Sequence, residues 1–242
     1  QQFSSCENLY ENAKYNTSAA ERTESSSLTL SISNTRSGNK EVFQPLGNPV
    51  KMYVCGMTPK ERPHIGHAFM FVQMDVMRRY LEYRGYSIYH VQNFTDIDDK
   101  IIDRAAAAGR DPMEWSREQT EAYFETMDQL HILHAHEFPR VTESIDRIIE
   151  HIHELILTGH AYTTSTGVYF DVTKFEAYGQ LSGRGEDDGL AGARVEVDDE
   201  KRGARDWALW KLDTDGAIGW ESPWGRGRPG WHIECSTMIR HS

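Results

Sequence analysis

Cysteine is scarce in this 242-residue chain, with only Cys6, Cys55 and Cys235. Three scattered cysteines cannot build a disulfide framework, and a reducing cytoplasm is the simpler setting. No run of 18 or more apolar residues occurs, so no membrane span is expected. The N-terminus has no basic region followed by an apolar stretch, so no secretory signal is read there. Positive charge is in the minority: 26 Lys and Arg face 37 Asp and Glu, a net charge of -11. That balance argues against a protein that coats nucleic acid by charge alone, but it leaves room for a local basic strip. Internal repeats are absent. Large apolar residues are few before residue 28, where Ser, Glu, Asn and Thr dominate. Residues 1–27 therefore read as a disordered tail or leader, in which Cys6 has no expected role.

With 38% hydrophobic residues the chain can bury a sizeable core. Leu28 to Ile32 alternates apolar and polar as a half-buried strand does, with a turn at Ser37 to Lys40. Val50 to Cys55 reads as a buried strand ending at Gly56. Pro63 is expected to open a helix that Gly85 closes. Ser87 to Phe94 is the next strand, with Thr95 to Asp99 at its end and a helix after it. Strand, helix, strand, helix implies a doubly wound, Rossmann-like α/β fold with a parallel sheet. Ligands of such folds bind at the carboxyl ends of the strands, where Cys55 and Thr95 fall. Two long amphipathic stretches at 112–134 and 141–158 follow, then a short strand at Gly167 to Val172 and a Gly- and Asp-rich segment from Ser182 to Gly192. The expected organisation is a first half of the core at 28–111, a mainly helical insertion at 112–195, and a return to the core at 196–242, entered near Asp206 to Lys211.

His64-Ile65-Gly66-His67 lies where a helix begins directly after a strand. Histidines three apart face the same way on a helical turn. The helix terminus adds free N–H groups suited to phosphate oxygens. Gly66 would let a flat base approach the backbone, and two imidazoles can donate to charge growing in a transition state. The plainer alternative is a chance pair of histidines capping a helix.

Cys55 and Cys235 could be half of a zinc site, which needs three or four ligands. His232 and Glu234 could complete it locally, or residues beyond Ser242 could; two unrelated buried thiols are the alternative. Trp231 shares a face with Cys235 at a spacing of four. The acids of Thr95-Asp96-Ile97-Asp98-Asp99-Lys100 could hold Mg²⁺ or a substrate amine, though helix capping is the better reading. Ser222 to Trp231, dense in Gly, Pro, Arg and Trp, reads as a shaped pocket wall rather than a plain surface loop. The histidines at 131, 134, 136, 151, 153 and 160 read as solvated helix faces.

Taken together, these stretches resemble cysteinyl-tRNA synthetases. The resemblance rests on Met52 to Thr58, His64 to His67, Asn93 to Ile102, Ala208 to Lys211, and Ser222 to Gly225 running on to Trp231-His232-Ile233-Glu234-Cys235-Ser236. It implies a class I synthetase core interrupted by a connective-peptide insertion. It also implies the reaction: cysteine and ATP, with Mg²⁺, give cysteinyl-adenylate and pyrophosphate, and the cysteinyl group then passes to tRNA(Cys). In that resemblance His64 and His67 stabilise the α-phosphate, and Thr58 and Gly66 join them around ATP. Gly56, Thr95 and Trp231 meet the substrate cysteine, and Cys55 and Cys235 hold a Zn²⁺ that binds the substrate thiol. Zinc prefers soft thiolate to a hydroxyl, which gives a discrimination shape alone cannot.

The chain departs from the family pattern at Pro59 to Pro63, where a more aromatic and acidic loop is usual. The family's remaining zinc ligands, its Lys-Met-Ser-Lys-Ser loop and its anticodon-binding domain would lie beyond Ser242. A truncated chain with weak zinc binding and little aminoacylation is therefore expected. A ligase joining cysteine to an amino sugar in mycothiol synthesis would share the core, and a non-catalytic binding module is the reading from another class.

Overall fold

The computed structural model describes residues 29–183, 200–213 and 218–242. The expected tail with Cys6, the start of the first strand at Leu28, and most of the Gly- and Asp-rich segment lie outside them. The residues up to Gln44 form one unit and Pro45–Ser242 another. The first holds an antiparallel hairpin, β1 (Ser31–Asn34) with β2 (Asn39–Val42). Its turn is closed by Gly38, whose φ of +70° suits a residue without Cβ and whose N–H donates to Asn34 O at 2.8 Å.

The second unit is built on β3 (Val50–Val54) and β4 (Ile88–Gln92), paired in parallel from Val50↔Ile88 to Val54↔Gln92. Parallel neighbours need a crossover, supplied here by α1 (Ile65–Tyr83). Pro63 does not open this helix as expected. His64 is its N-cap, because the His64 ring is itself the group that satisfies a free N–H of the first turn. Gly85, with φ +89°, stands just past the C-cap Arg84 as expected. Beyond β4, the residues around Glu137 and Arg140 add parallel bridges to Val91 and Phe94. β4 is therefore flanked on both edges, which fits its almost continuous burial.

Next come α2 (Asp99–Ala107), α3 (Pro112–Gln129) and α4 (Ile145–Leu157). Successive strand residues face opposite sides of a sheet, and β3 divides its side chains that way. Val54 packs with Phe71 of α1, Phe94, and Tyr123 and Met127 of α3. Tyr53 packs instead with Ile148 and Ile152 of α4 and with Ile233 and Met238 of α5 (Ile233–His241). Helices thus cover both faces, as a doubly wound sheet requires.

A four-stranded antiparallel sheet follows the order β5 (Ala161–Thr163), β6 (Gly167–Phe170), β7 (Trp207–Leu212) and β8 (Gly227–Pro229). By backbone, β7 pairs with β6 and β8. By side chain it returns to the core, where Leu209 and Trp210 are fully buried beside Ile97 and Ile233. No helix among the described residues is long and apolar enough to cross a membrane.

Ile148, with no exposed surface, lies in the cluster that joins α4, α5 and β7. Ile148→Ala should lower unfolding stability by about 2–5 kcal/mol, the usual cost of a buried aliphatic truncation. Urea denaturation followed by circular dichroism measures it. A loss below ~1 kcal/mol would mean that this cluster does not hold the elements together.

Candidate active site

The carboxyl ends of β3 and β4 meet through one close crossing. A Cβ on Gly56 would lie 1.6 Å from Asn93 O, so only glycine fits. The Gly56 N–H donates to Asn93 Oδ1 at 3.0 Å, and Asn93 Nδ2 reaches Thr95 Oγ1 at 3.5 Å. Thr95 N–H donates to Met57 O at 3.3 Å. These contacts place Cys55, Gly56 and Thr95 along one line of backbone. Thr58 follows in the loop to α1, which the Trp115 indole N–H anchors by donating to Lys60 O at 2.8 Å.

The cysteines come together. Cys55 Sγ and Cys235 Sγ are 3.7 Å apart although 180 positions separate them in sequence. Two thiolates bound to one tetrahedral zinc ion at about 2.3 Å would stand ~3.8 Å apart, so the pair fits that ion. The two sulfurs titrate as a unit. The Cys235 thiol hydrogen-bonds to Cys55 and brings it down to about 7, while that same bond and its own burial push Cys235 up.

Among the described residues, no group of three or more His, Cys, Asp and Glu side chains is arranged to hold a metal ion. Of the two sources weighed for the remaining ligands, the local pair His232 and Glu234 does not form such a group with the cysteines among the described residues. The His232 ring packs edge-on to Trp207 and Trp231, with centroids 5.6 and 5.9 Å away. Glu234 is buried with no hydrogen-bond partner for Oε2 among the described residues, and burial pushes its carboxyl up to about 8.

The shared face of Trp231 and Cys235 is corrected too. Helix α5 starts only at Ile233, because His232 adopts the left-handed conformation with φ 71°. Such a residue costs about 1–2 kcal/mol and turns Trp231 off the helix.

The histidines cap α1 reciprocally. Gly66 N–H donates to His64 Nδ1 at 3.1 Å, and His64 N–H donates to His67 Nδ1 at 3.2 Å. Their rings stack with centroids 3.9 Å apart. Since both Nδ1 atoms accept, the neutral rings carry their protons on Nε2, which leaves two parallel donors. Burial, helped by the neighbouring His64, holds His67 below the ordinary imidazole range, favouring this neutral state. A Cβ on Gly66 would press on the His64 ring at 3.0 Å, so the missing side chain makes room for the imidazole itself.

All three carboxylates after Thr95 are engaged by protein, but only Asp98 does so as the helix cap that was expected. Asp96 accepts from Thr142 N at 3.1 Å and Oγ1 at 2.6 Å. Asp98 caps α2 through the Lys100 N–H at 2.9 Å. Asp99 pairs with Lys211 at 2.8 Å and Arg228 at 2.6 Å. Burial alone would raise the Asp99 carboxyl, but these partners outweigh it and hold it below the usual range.

Two residues escaped the sequence reading. Asn93 had no motif of its own. Tyr53 could have been found, because a strand places it on the same face as Cys55 two residues on. Its hydroxyl is buried beside the two cysteines, and burial, then Cys235 and Cys55, raise its pKa.

Comparison with known proteins places these features in company. Residues 42–242 match the family model for the class I (C) tRNA synthetase catalytic domain. The chain is 50% identical over 210 residues to the Cysteine--tRNA ligase of Dehalococcoides mccartyi, covering 86% of this chain and 46% of that protein. It is 51% identical over 212 residues to the Cysteine--tRNA ligase of Clostridioides difficile, covering 87% and 46%. The enzyme of that name from Pyrococcus horikoshii is 50% identical, covering 87% and 44%. The chain thus spans just under half the length of these curated relatives. A solved structure of Mycobacterium tuberculosis methionyl-tRNA synthetase with methionyl-adenylate matches with a TM-score of 0.58 at 15% identity, over 79% of this chain and 46% of that one, a likeness of fold.

The cysteine pair makes a measurable prediction. Alkylation of Cys55 by iodoacetamide, followed by peptide mass spectrometry, should rise with pH around a midpoint near 7. In Cys235→Ala the midpoint should move to the ordinary thiol range of about 8.5. An unchanged midpoint would show that Cys235 does not stabilise the Cys55 thiolate.

Proposed function

The chain belongs to the class I (C) tRNA synthetase catalytic-domain family, and we propose that it carries the cysteine-activating part of a cysteine–tRNA ligase. The observation that carries this reading is the pair Cys55 and Cys235, brought to 3.7 Å beside the ends of β3 and β4. The relatives' name, Cysteine--tRNA ligase, favours tRNA over an amino sugar as the final acceptor. The reaction would join the cysteine carboxylate to the α-phosphate of ATP, release pyrophosphate, and then pass the acyl group to tRNA(Cys).

In this proposal Cys55 and Cys235 hold Zn²⁺ with ligands from elsewhere. Bound zinc would supply a soft Lewis acid that takes a thiolate in preference to a hydroxyl. The chain's own residues do the rest. Thr95, fixed by Asn93, receives the substrate amine beside Gly56. Trp231 walls the amino-acid pocket. The Nε2–H groups of His64 and His67 donate to the α-phosphate as its charge grows. Thr58 and Gly66 lie along the nucleotide, whose Mg²⁺ travels with the phosphates. Neutral imidazoles held by reciprocal caps need no reorganisation when that charge develops. Residues 112–195 are read as the connective-peptide insertion, with α3 and α4 rooted on opposite faces of the β3–β4 sheet.

Equilibrium dialysis with labelled cysteine tests the reading. With zinc in excess the chain should take up cysteine, and serine should compete at least ~100-fold less well, the size of discrimination a dedicated polar or metal contact supplies. Cys55→Ala should abolish uptake. His64→Asn should leave uptake intact while lowering any cysteine-dependent pyrophosphate exchange by about 10²–10³. Uptake that ignores zinc, or that does not separate cysteine from serine, would sink the proposal.

A further inference from the structure

Trp231 is bulky and nearly half exposed, yet a pocket wall must stand still. Its indole Nε1–H donates to Asp98 Oδ2 at 2.6 Å. The other oxygen of the same carboxylate, Oδ1, accepts the Lys100 N–H at 2.9 Å and caps α2. The Lys100 ammonium lies 4.3 Å from the centre of the Trp231 ring, a cation on an aromatic face. The His232 ring meets the indole edge-on. Behind it, Gly230 lies so close to β7 that a Cβ would come 1.8 Å from Ala208 O, which fixes where the backbone enters the turn.

From this geometry we propose that Asp98 is a positioning residue for the amino-acid pocket: it holds the Trp231 indole and so couples the start of α2 to the wall that meets the substrate side chain. The inference rests on the reading of Trp231 as that wall. Both carboxylate oxygens are used, one for each task, and Asp98 is itself buried. A carboxylate is the side chain of this length that accepts on both sides. In asparagine one oxygen can still cap α2, but its amide would face the indole N–H donor to donor. Asp98→Asn therefore separates the two tasks.

The test follows the indole N–H resonances of ¹⁵N-labelled protein with zinc in excess, with the Trp231 signal assigned by its loss in Trp231→Phe. A short bond to a carboxylate should set that signal downfield, and cysteine added stepwise should move it. In Asp98→Asn the signal should shift upfield and cysteine should bind roughly tenfold more weakly, the order of one charge-assisted hydrogen bond. Melting temperature should change little, because the cap survives. Asp98→Ser, which keeps a capping hydroxyl but cannot reach the indole, is the second variant if asparagine is not tolerated. In a Trp231→Phe background Asp98→Asn should cause no further loss of cysteine affinity.

An indole signal unmoved by Asp98→Asn overturns the inference, and so does a moved signal with unchanged cysteine affinity. Both outcomes leave the pocket reading standing. A wild-type Trp231 signal that ignores cysteine altogether overturns the pocket reading, and this inference with it.

Discussion

Two parallel strands cannot be joined by a tight turn, so the chain between β3 and β4 must run back along the length of the sheet. Everything at the site depends on where that route begins and ends. Parallel pairing brings both carboxyl ends to one edge, so Cys55 and Thr95 become neighbours and the N-terminus of α1 opens just after the first. The crossing of Gly56 over Asn93 tightens that edge until no side chain fits between the strands. Cys55 lies next to that glycine in the chain. Moving the crossing would therefore move the thiol, the threonine and the entry to the helix together.

Carboxylates do the second part of the work. The net charge of -11 suggests a dispersed acidic surface, but the cluster after Thr95 is engaged locally. Asp96 reaches Thr142, Asp98 reaches Trp231, and Asp99 reaches Lys211 and Arg228. One turn of chain thus fastens three segments distant in sequence. An ion held this way by protein donors has little left for a metal. The Asp99 pairs are also partly buried, so salt screens them less than surface pairs.

Much of this was legible in the sequence, for physical reasons that can be named. The strands at Val50 and Ile88 are short apolar runs that stop at Gly56 and at polar residues, and the helix between them keeps its period to Gly85. The histidine pair was legible because helix geometry is local. Asp98 was legible as a cap for the same reason, since a cap needs only the next two or three residues. Its hold on Trp231, 133 positions away, was not, because nothing local records it. Local rules also misled, at Pro63, which does not open α1, and after Gly230. The spacing of four between Trp231 and Cys235 assumed unbroken periodicity, which a left-handed His232 interrupts. The pairing of β7 with β6 was likewise out of reach, since a register between distant strands has no signature within either.

The cysteine pair shows what long-range placement implies for specificity. Each thiol is fixed by a different device. Cys55 follows β3 into the Gly56 crossing, whereas Cys235 rides on α5, whose start is set by His232 and by an indole tied to Asp98. The two segments meet at the sulfurs, in the apolar contacts around Tyr53, and where the Lys51 ammonium donates to Ser242 O at 2.8 Å. A ligand held by both thiolates would therefore bind the assembled state and not the separated one, and would stabilise the junction by mass action. The contacts that hold Trp231 and those that set the sulfur spacing then belong to one equilibrium. If the pair holds a metal, discrimination at the site would depend on how well the two segments are held together, and Asp98 bears on that hold through the Trp231 turn that precedes α5.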